Sequence, residues 1–390
     1  MSKSRLPILL YRTHAWVGLI SGIFLVVICF TGSVAVFRPE IERAVDYAGQ
    51  DFTVVPNGNP KISPGRAAVT AQEAFPGSSP QLVRFPAPPG STQVHGDAYL
   101  VTLNQGRGNR AVQVLVDPYR DAVIGEHKNV RGWGDWLRQL HVRFLYGSFW
   151  GRYIVGFFGL TLLFSTVSGL MIFARFNGNS WLPKRVRWGR GARIVSADLH
   201  KLVGLGSVAF NILFGVSGAV LGLEGIYYKF LAEKAPVVRR ATVARLPAGG
   251  IDAFVDKARA LVPDAQPSAI LLNHARAGIV RVDLWPATGH LVREMSSYVT
   301  FDARSAEPIE IYDATKSAAG VRLYYAMEPL HFGRLGGALW VKLLWGLMGL
   351  TGGFLSMTGF AIYVLRKRKP QVARMLAQDE IKATPAVEFS

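Results

Sequence analysis

Leu140-His-Val-Arg-Phe-Leu-Tyr-Gly-Ser-Phe-Trp150 and Leu330-His-Phe-Gly-Arg-Leu-Gly-Gly-Ala-Leu-Trp340 open with the same Leu-His pair and share a glycine and the closing tryptophan. The likeness continues downstream, where Gly156, Gly159-Leu-Thr161 and Gly169 recur as Gly346, Gly349-Leu-Thr351 and Gly359, all displaced by 190 residues. A second pair of matches lies upstream. His14-Ala-Trp-Val-Gly-Leu19 through Thr31-Gly-Ser-Val34 answers to His200-Lys-Leu-Val-Gly-Leu205 through Ser217-Gly-Ala-Val220 at an offset of 186. The spacing predicts an internal duplication in which each copy carries two histidines. Such a molecule has two equivalent His–His pairs.

The duplicated stretches are apolar. Half of the residues are hydrophobic, and they are concentrated in four runs long enough for a bilayer, which takes about 20 mostly apolar residues. The runs are read as transmembrane spans at 14–37, 150–174, 200–223 and 341–365. The first is too long for a cleavable leader and no small-residue cleavage site follows it, so a retained anchor is expected.

The net charge of +18 is distributed as topology requires rather than as a nucleic-acid face. Residues 1–13 hold three basic and no acidic residues, 175–193 hold six basic and none acidic, and Arg366-Lys-Arg-Lys369 follows the last run. The long segments are nearly balanced. By the positive-inside rule the termini (1–13 and 366–390) and the 175–199 loop are cytoplasmic, and the long segments are exported. A multi-pass membrane protein is expected, with lipid and not nucleic acid as its surroundings. Cys29 is the only cysteine, which excludes a disulfide framework and an Fe–S cluster held by this chain.

Each half sends a span out, exports a segment (38–131 and 224–322), passes through an interfacial stretch carrying a histidine (132–149 with His141, 323–340 with His331) and returns. The exported segments read as small α+β modules. Residues 66–74 and 252–261 have the alanine-rich spacing of a short helix, while 99–103 and 279–284 alternate as half-buried strands. Val114-Leu-Val-Asp-Pro118 and Val299-Thr-Phe-Asp302 read as closing hairpins, and the Pro/Gly clusters at 56–65 and 86–90 as loops. The expected fold is four membrane helices in two tandem parallel repeats, each with one exported module, related by an axis along the membrane normal. His14 and His200 then share one depth near the cytoplasm, and His141 and His331 share the other.

Histidines near a bilayer usually have a task or a partner. Neutral imidazole is a good iron ligand, and two imidazoles from facing helices can occupy both axial positions of a b haem. Gly18 and Gly204 stand one turn from His14 and His200 on the same helix face, where a missing side chain leaves a flat slot. Close helix packing is an equally open reading for these glycines and for Gly346, Gly349 and Gly353. Arg12, Lys201, Arg138, Arg143 and Arg334 are near enough in sequence to meet haem propionates. His95, His127, His274 and His290 are unmatched between the halves and are read as surface residues. Straight helices of this length would hold the two irons roughly 30 Å apart, and Gly147 with Gly333, Gly336 and Gly337 are places where the helices would break.

On the His14-Ala-Trp-Val-Gly-Leu and Thr31-Gly-Ser motifs, Leu140-His141, and Leu330-His331 before a glycine-rich helix and basic stop, the chain resembles the PepSY-associated transmembrane family. Within it, the four-helix form resembles inner-membrane siderophore reductases. That resemblance implies two haem b groups with bis-histidine ligation (His14/His200 inner, His141/His331 outer), and reduction of a ferric siderophore at the His141/His331 side. No Gly-x-Gly-x-x-Gly unit follows any strand, so the electron donor is expected to be separate, a quinol or a cytoplasmic reductase. Two rival readings remain: a haem-free PepSY-type regulatory or binding protein, and an iron or haem permease with a histidine relay.

Overall fold

The computed structural model describes residues 5–50, 53–87, 93, 95–105, 111–127, 132–145, 147, 149–176, 185–226, 250–272, 278–285, 291, 296–335 and 338–383. His274, His290, Lys184, Gly336, Gly337 and the 88–90 part of the second loop lie outside them. The chain divides into two compact units: residues 1–33, 150–222 and 346–390 form one, and 34–149 with 223–345 form the other.

The first unit is helical. Helix α1 (Arg5–Ala35), α4 (Phe149–Phe176) and α9 (Leu339–Ala383) each contain a stretch long and apolar enough to cross a membrane, namely Pro7–Ala35, Trp150–Arg175 and Leu339–Arg366. The fourth candidate departs from the expected straight span over 200–223. It begins at Ala192 and is broken into α5 (Ala192–Gly206) and α6 (Val208–Gly222), bent by 69°. The Gly204-Leu-Gly206-Ser207 stretch explains the break, since glycine and serine weaken a helix at the point where it must kink. Ser207 bonds back to the Val203 carbonyl at 2.7 Å and accepts from Asn211 at 2.8 Å. Asn211 itself is only 1% exposed and accepts from Thr351 of α9 at 3.3 Å. The kink is thus held by buried polar groups that have partners, as hydrocarbon surroundings require.

Two helix crossings in this unit repeat one contact. A Cβ on Gly159 of α4 would lie 2.6 Å from the backbone nitrogen of Ala219 and 3.1 Å from the Gly215 carbonyl, both on α6. A Cβ on Gly349 of α9 would lie 2.5 Å from Ser33 Oγ, and one on Gly352 2.9 Å from Cys29 Sγ, both on α1. The small residues let the helices approach closely, which in lipid supplies packing that the hydrophobic effect cannot.

The second unit is built on one antiparallel sheet of eight strands: β1 (Ser79–Arg84), β2 (Tyr99–Asn104), β3 (Ala111–Asp117), β4 (Ala122–His127), β5 (Gln266–Leu271), β6 (Ile279–Trp285), β7 (Ser297–Asp302) and β8 (Pro308–Tyr312), in the order β4-β3-β2-β1-β5-β6-β7-β8. Two separate modules are expected from the sequence; the structure joins them edge to edge through β1 and β5. Val83 faces Ile270 at the centre, and the ladder continues symmetrically through Phe85 N–H to Ser268 O (2.8 Å) and Leu272 N–H to Gln81 O (2.7 Å). Each seam strand would otherwise be an open edge with unpaired backbone groups.

Helices α2 (Pro64–Ala74) and α7 (Ile251–Leu261) pack on one face of the sheet and share one core with it, including Ala67, Ala71, Val83, Val101, Val255, Ile270 and Phe301. Asp252 ties the helices together by accepting from Ser63 Oγ (2.6 Å) and Gly65 N–H (2.7 Å). The loop expected over 56–65 stops short of Gly65, because Ser63 caps α2 and Pro64 opens it. Two further helices, α3 (Trp133–Arg143) and α8 (Ala319–Phe332), carry His141 and His331.

Candidate functional site

The four matched histidines meet in two pairs. His14 on α1 and His200 on α5 have ring centroids 6.4 Å apart with planes at 86°. His141 on α3 and His331 on α8 have centroids 6.1 Å apart with planes at 34°.

In the first pair the second ring nitrogen of each histidine has a hydroxyl partner on a returning helix. His14 Nδ1 lies 3.0 Å from Ser168 Oγ of α4, and His200 Nδ1 lies 2.9 Å from Thr358 Oγ1 of α9. Sequence reasoning missed both residues. The signal was present, since Ser168-Gly169 and Thr358-Gly359 stand 190 apart within the repeat; a comparison based on identical residues passes over a serine matched to a threonine. Beside the first pair, Gly18 has nothing within 4 Å of the position a Cβ would take, whereas a Cβ on Gly204 would touch Leu355 at 3.6 Å. Arg12 and Lys201 are exposed.

The second pair sits on short helices whose ends are fixed by local chemistry. Asp46 caps α3 by accepting from Trp133 N–H (2.7 Å) and Gly134 N–H (3.1 Å), which offsets the unpaired amides and positive dipole of a helix start. α3 stops just beyond His141 because Phe144 (φ 49°) and Leu145 (φ 62°) turn left-handed. α8 stops just beyond His331 at Gly333 (φ 65°), where a Cβ would lie 2.5 Å from the Trp345 ring. The Trp345 indole N–H in turn donates to the Leu330 carbonyl at 2.8 Å, satisfying a group that the helix end leaves open.

His141 is buried. Burial, with His141 alongside, pushes His331 down to about 3, so its ring is neutral at physiological pH. Arg143 has a buried Nε without a hydrogen-bond partner among the described residues. Arg334 is paired with Glu328 at 2.9 Å and lies 5.0 Å over the Phe332 ring, while Arg138 is exposed. His95 is corrected by the structure: it is only 2% exposed, with Nε2 3.0 Å from the Phe85 carbonyl, and burial pushes it down to about 4. His127 is half-buried against Tyr47, rings 5.1 Å apart.

Two histidine pairs in a chain with membrane-type helices define a membrane protein with two facing imidazole sites. The chain belongs to the family described as the PepSY-associated TM region, whose model matches residues 11–366. It is similar to an uncharacterized protein of Pseudomonas aeruginosa, 28% identical over 278 residues, which cover 62% of this chain and 66% of that relative. The aligned region thus spans just under two thirds of the relative's length.

Proposed function

We propose that the chain is a di-haem b oxidoreductase of the bacterial inner membrane, built as two tandem repeats with four spans, that passes electrons across the bilayer to a ferric siderophore. The observation that carries this reading is the ring spacing. Two imidazoles on opposite sides of one metal, each bonded through nitrogen at about 2 Å, have ring centres roughly 6.3 Å apart. The two pairs stand at 6.4 Å and 6.1 Å.

Further support comes from the surroundings. The space open at Gly18 suits a flat macrocycle beside His14. The buried Arg143 Nε lacks a partner among the described residues, a costly state for a cation that an anionic group such as a propionate would relieve. Bound haem supplies the one-electron chemistry. The residues of the chain supply the rest: His14 with His200 and His141 with His331 hold the groups, burial keeps His331 unprotonated, and the basic flanks set which pair faces the cytoplasm. Hard oxygen ligands favour the higher charge, so iron leaves such a chelate once reduced. The electron enters from a separate donor, a quinol or a cytoplasmic reductase.

The test is a reduced-minus-oxidised absorbance spectrum of the purified protein with pyridine haemochrome quantitation. About two b haems per chain are expected for bis-histidine ligation at both pairs, followed by oxidation of the reduced protein on adding a ferric siderophore. A folded, colourless protein from haem-replete cells sinks the reading and leaves the regulatory one.

A further inference from the structure

The span histidines have partners whose chemistry is more specific than helix packing demands. A serine or threonine hydroxyl has one proton to give and two lone pairs. Ser168 Oγ lies 2.7 Å from the Phe164 carbonyl and Thr358 Oγ1 lies 3.0 Å from the Phe354 carbonyl, so each hydroxyl has a helix acceptor within reach for its proton. Both side chains are buried, 2% and 8% exposed, so water does not compete for them. A hydroxyl that gives its proton to that carbonyl accepts from the imidazole beside it. Nδ1 is then the protonated nitrogen of His14 and of His200, and Nε2 keeps its lone pair for a metal.

The glycine that follows each hydroxyl completes the fit. A Cβ on Gly169 would lie 3.2 Å from His14 Cε1, and one on Gly359 would lie 3.7 Å from His200 Cε1. The repeat therefore presents an oxygen to Nδ1 in both copies, and at Gly169 a side chain would crowd the neighbouring ring carbon. It does so with different residues, serine in one copy and threonine in the other. A carboxylate would serve as a stronger acceptor, but a charge at that place in a span is expensive. A hydroxyl can accept from the ring without adding a charge to the span.

We propose that Ser168 and Thr358 are positioning residues for the His14/His200 pair: each hydroxyl sets the tautomer of its histidine and holds the ring at its rotation, which keeps the two planes near perpendicular. The proposal rests on the reading of that pair as axial ligands of one haem. Low-spin ferric haem with crossed imidazole planes gives a strongly anisotropic electron paramagnetic resonance signal, and with near-parallel planes a rhombic one. The 86° and 34° pairs should therefore give separate signals, and only the first should respond to the hydroxyls.

The experiment compares the full-length protein with Ser168→Ala, Thr358→Val and the double variant, alongside the conservative Ser168→Thr and Thr358→Ser. The expected result is a selective change. The anisotropic signal shifts or broadens, that centre's midpoint potential rises because its rings lose an acceptor that enriched them, and its haem affinity falls on the order of tenfold per hydroxyl lost. The rhombic signal stays, and the conservative variants restore both properties. Unchanged signal and potential in the double variant, with two haems still bound, overturn the positioning role alone. Conservative variants that behave like the hydroxyl-free ones overturn it as well. A wild-type protein that binds no haem overturns this proposal together with the functional reading beneath it.

Discussion

The two histidine pairs have nearly the same spacing and opposite support. His14 and His200 sit on long apolar helices and are oriented by hydroxyls from other helices, at 3.0 Å and 2.9 Å. His141 and His331 sit on short helices and owe their placement to how those helices end, through the left-handed residues Phe144, Leu145 and Gly333 and the Trp345–Leu330 bond. In hydrocarbon every polar group needs an internal partner, so orientation there is achieved by side-chain hydrogen bonds. Outside the spans, backbone geometry can do the same work, because water satisfies whatever a helix end leaves exposed.

The most damaging way to break the comparison is to remove one histidine from each pair. His200→Ala and His331→Ala should each lower haem content from about two to about one per chain, with loss of siderophore reduction in both. If one substitution removes both haems, the pairs are not independent sites. Next in size is the acid limb of stability in the sheet unit. His95 has its pKa pushed down to about 4 by burial, against 6.5 in the unfolded chain. The unfolded state therefore takes up a proton first as pH falls, and stability declines from pH 6.5 to about 4, by about 3 kcal/mol at full extent. Urea titrations of the wild type and of His95→Gln across that range should show the dependence shrinking in the variant.

Gly333→Ala probes how the second pair is built. A β-carbon there meets the Trp345 ring in a left-handed backbone, so a loss of about 1–3 kcal/mol is expected. The spectral signature of His141/His331 should weaken while that of His14/His200 stays; equal loss at both would deny the separate supports. The smallest effect distinguishes the two matched helix crossings. Gly159→Ala runs into the Ala219 backbone and should cost about 1–3 kcal/mol, whereas Gly349→Ala meets only the Ser33 hydroxyl and should cost less than about 1 kcal/mol. Thermal unfolding in detergent would rank them, and the reverse order would place the tighter crossing at α1 and α9.

Much of this plan was legible in the chain. The repeats at 186 and 190, the apolar runs and the basic flanks are local or periodic signals, and the alternation at Tyr99 and Ile279 marked β2 and β6. The seam strands were not legible. β1 and β5 read Ser-Pro-Gln-Leu-Val-Arg and Gln-Pro-Ser-Ala-Ile-Leu, and each carries a register shift beginning at its proline, Pro80 or Pro267. Proline argues against a strand, and the outer edge of each is covered by the other strand, more than 180 residues away. His95 was misread for a similar reason, since no pattern in sequence tells a buried histidine from an exposed one.

By itself, then, the sequence determined which segments are apolar enough for a membrane, that stretches recur at offsets of 186 and 190, and which four histidines correspond. Tertiary structure decided what meets what: that β1 and β5 close two modules into one sheet, that Ser207 breaks the third apolar run, and that Ser168 and Thr358 face the span histidines. The division is physical. Hydropathy and repetition are properties of a segment, whereas a hydrogen bond such as Thr358 to His200 depends on two segments being folded against one another.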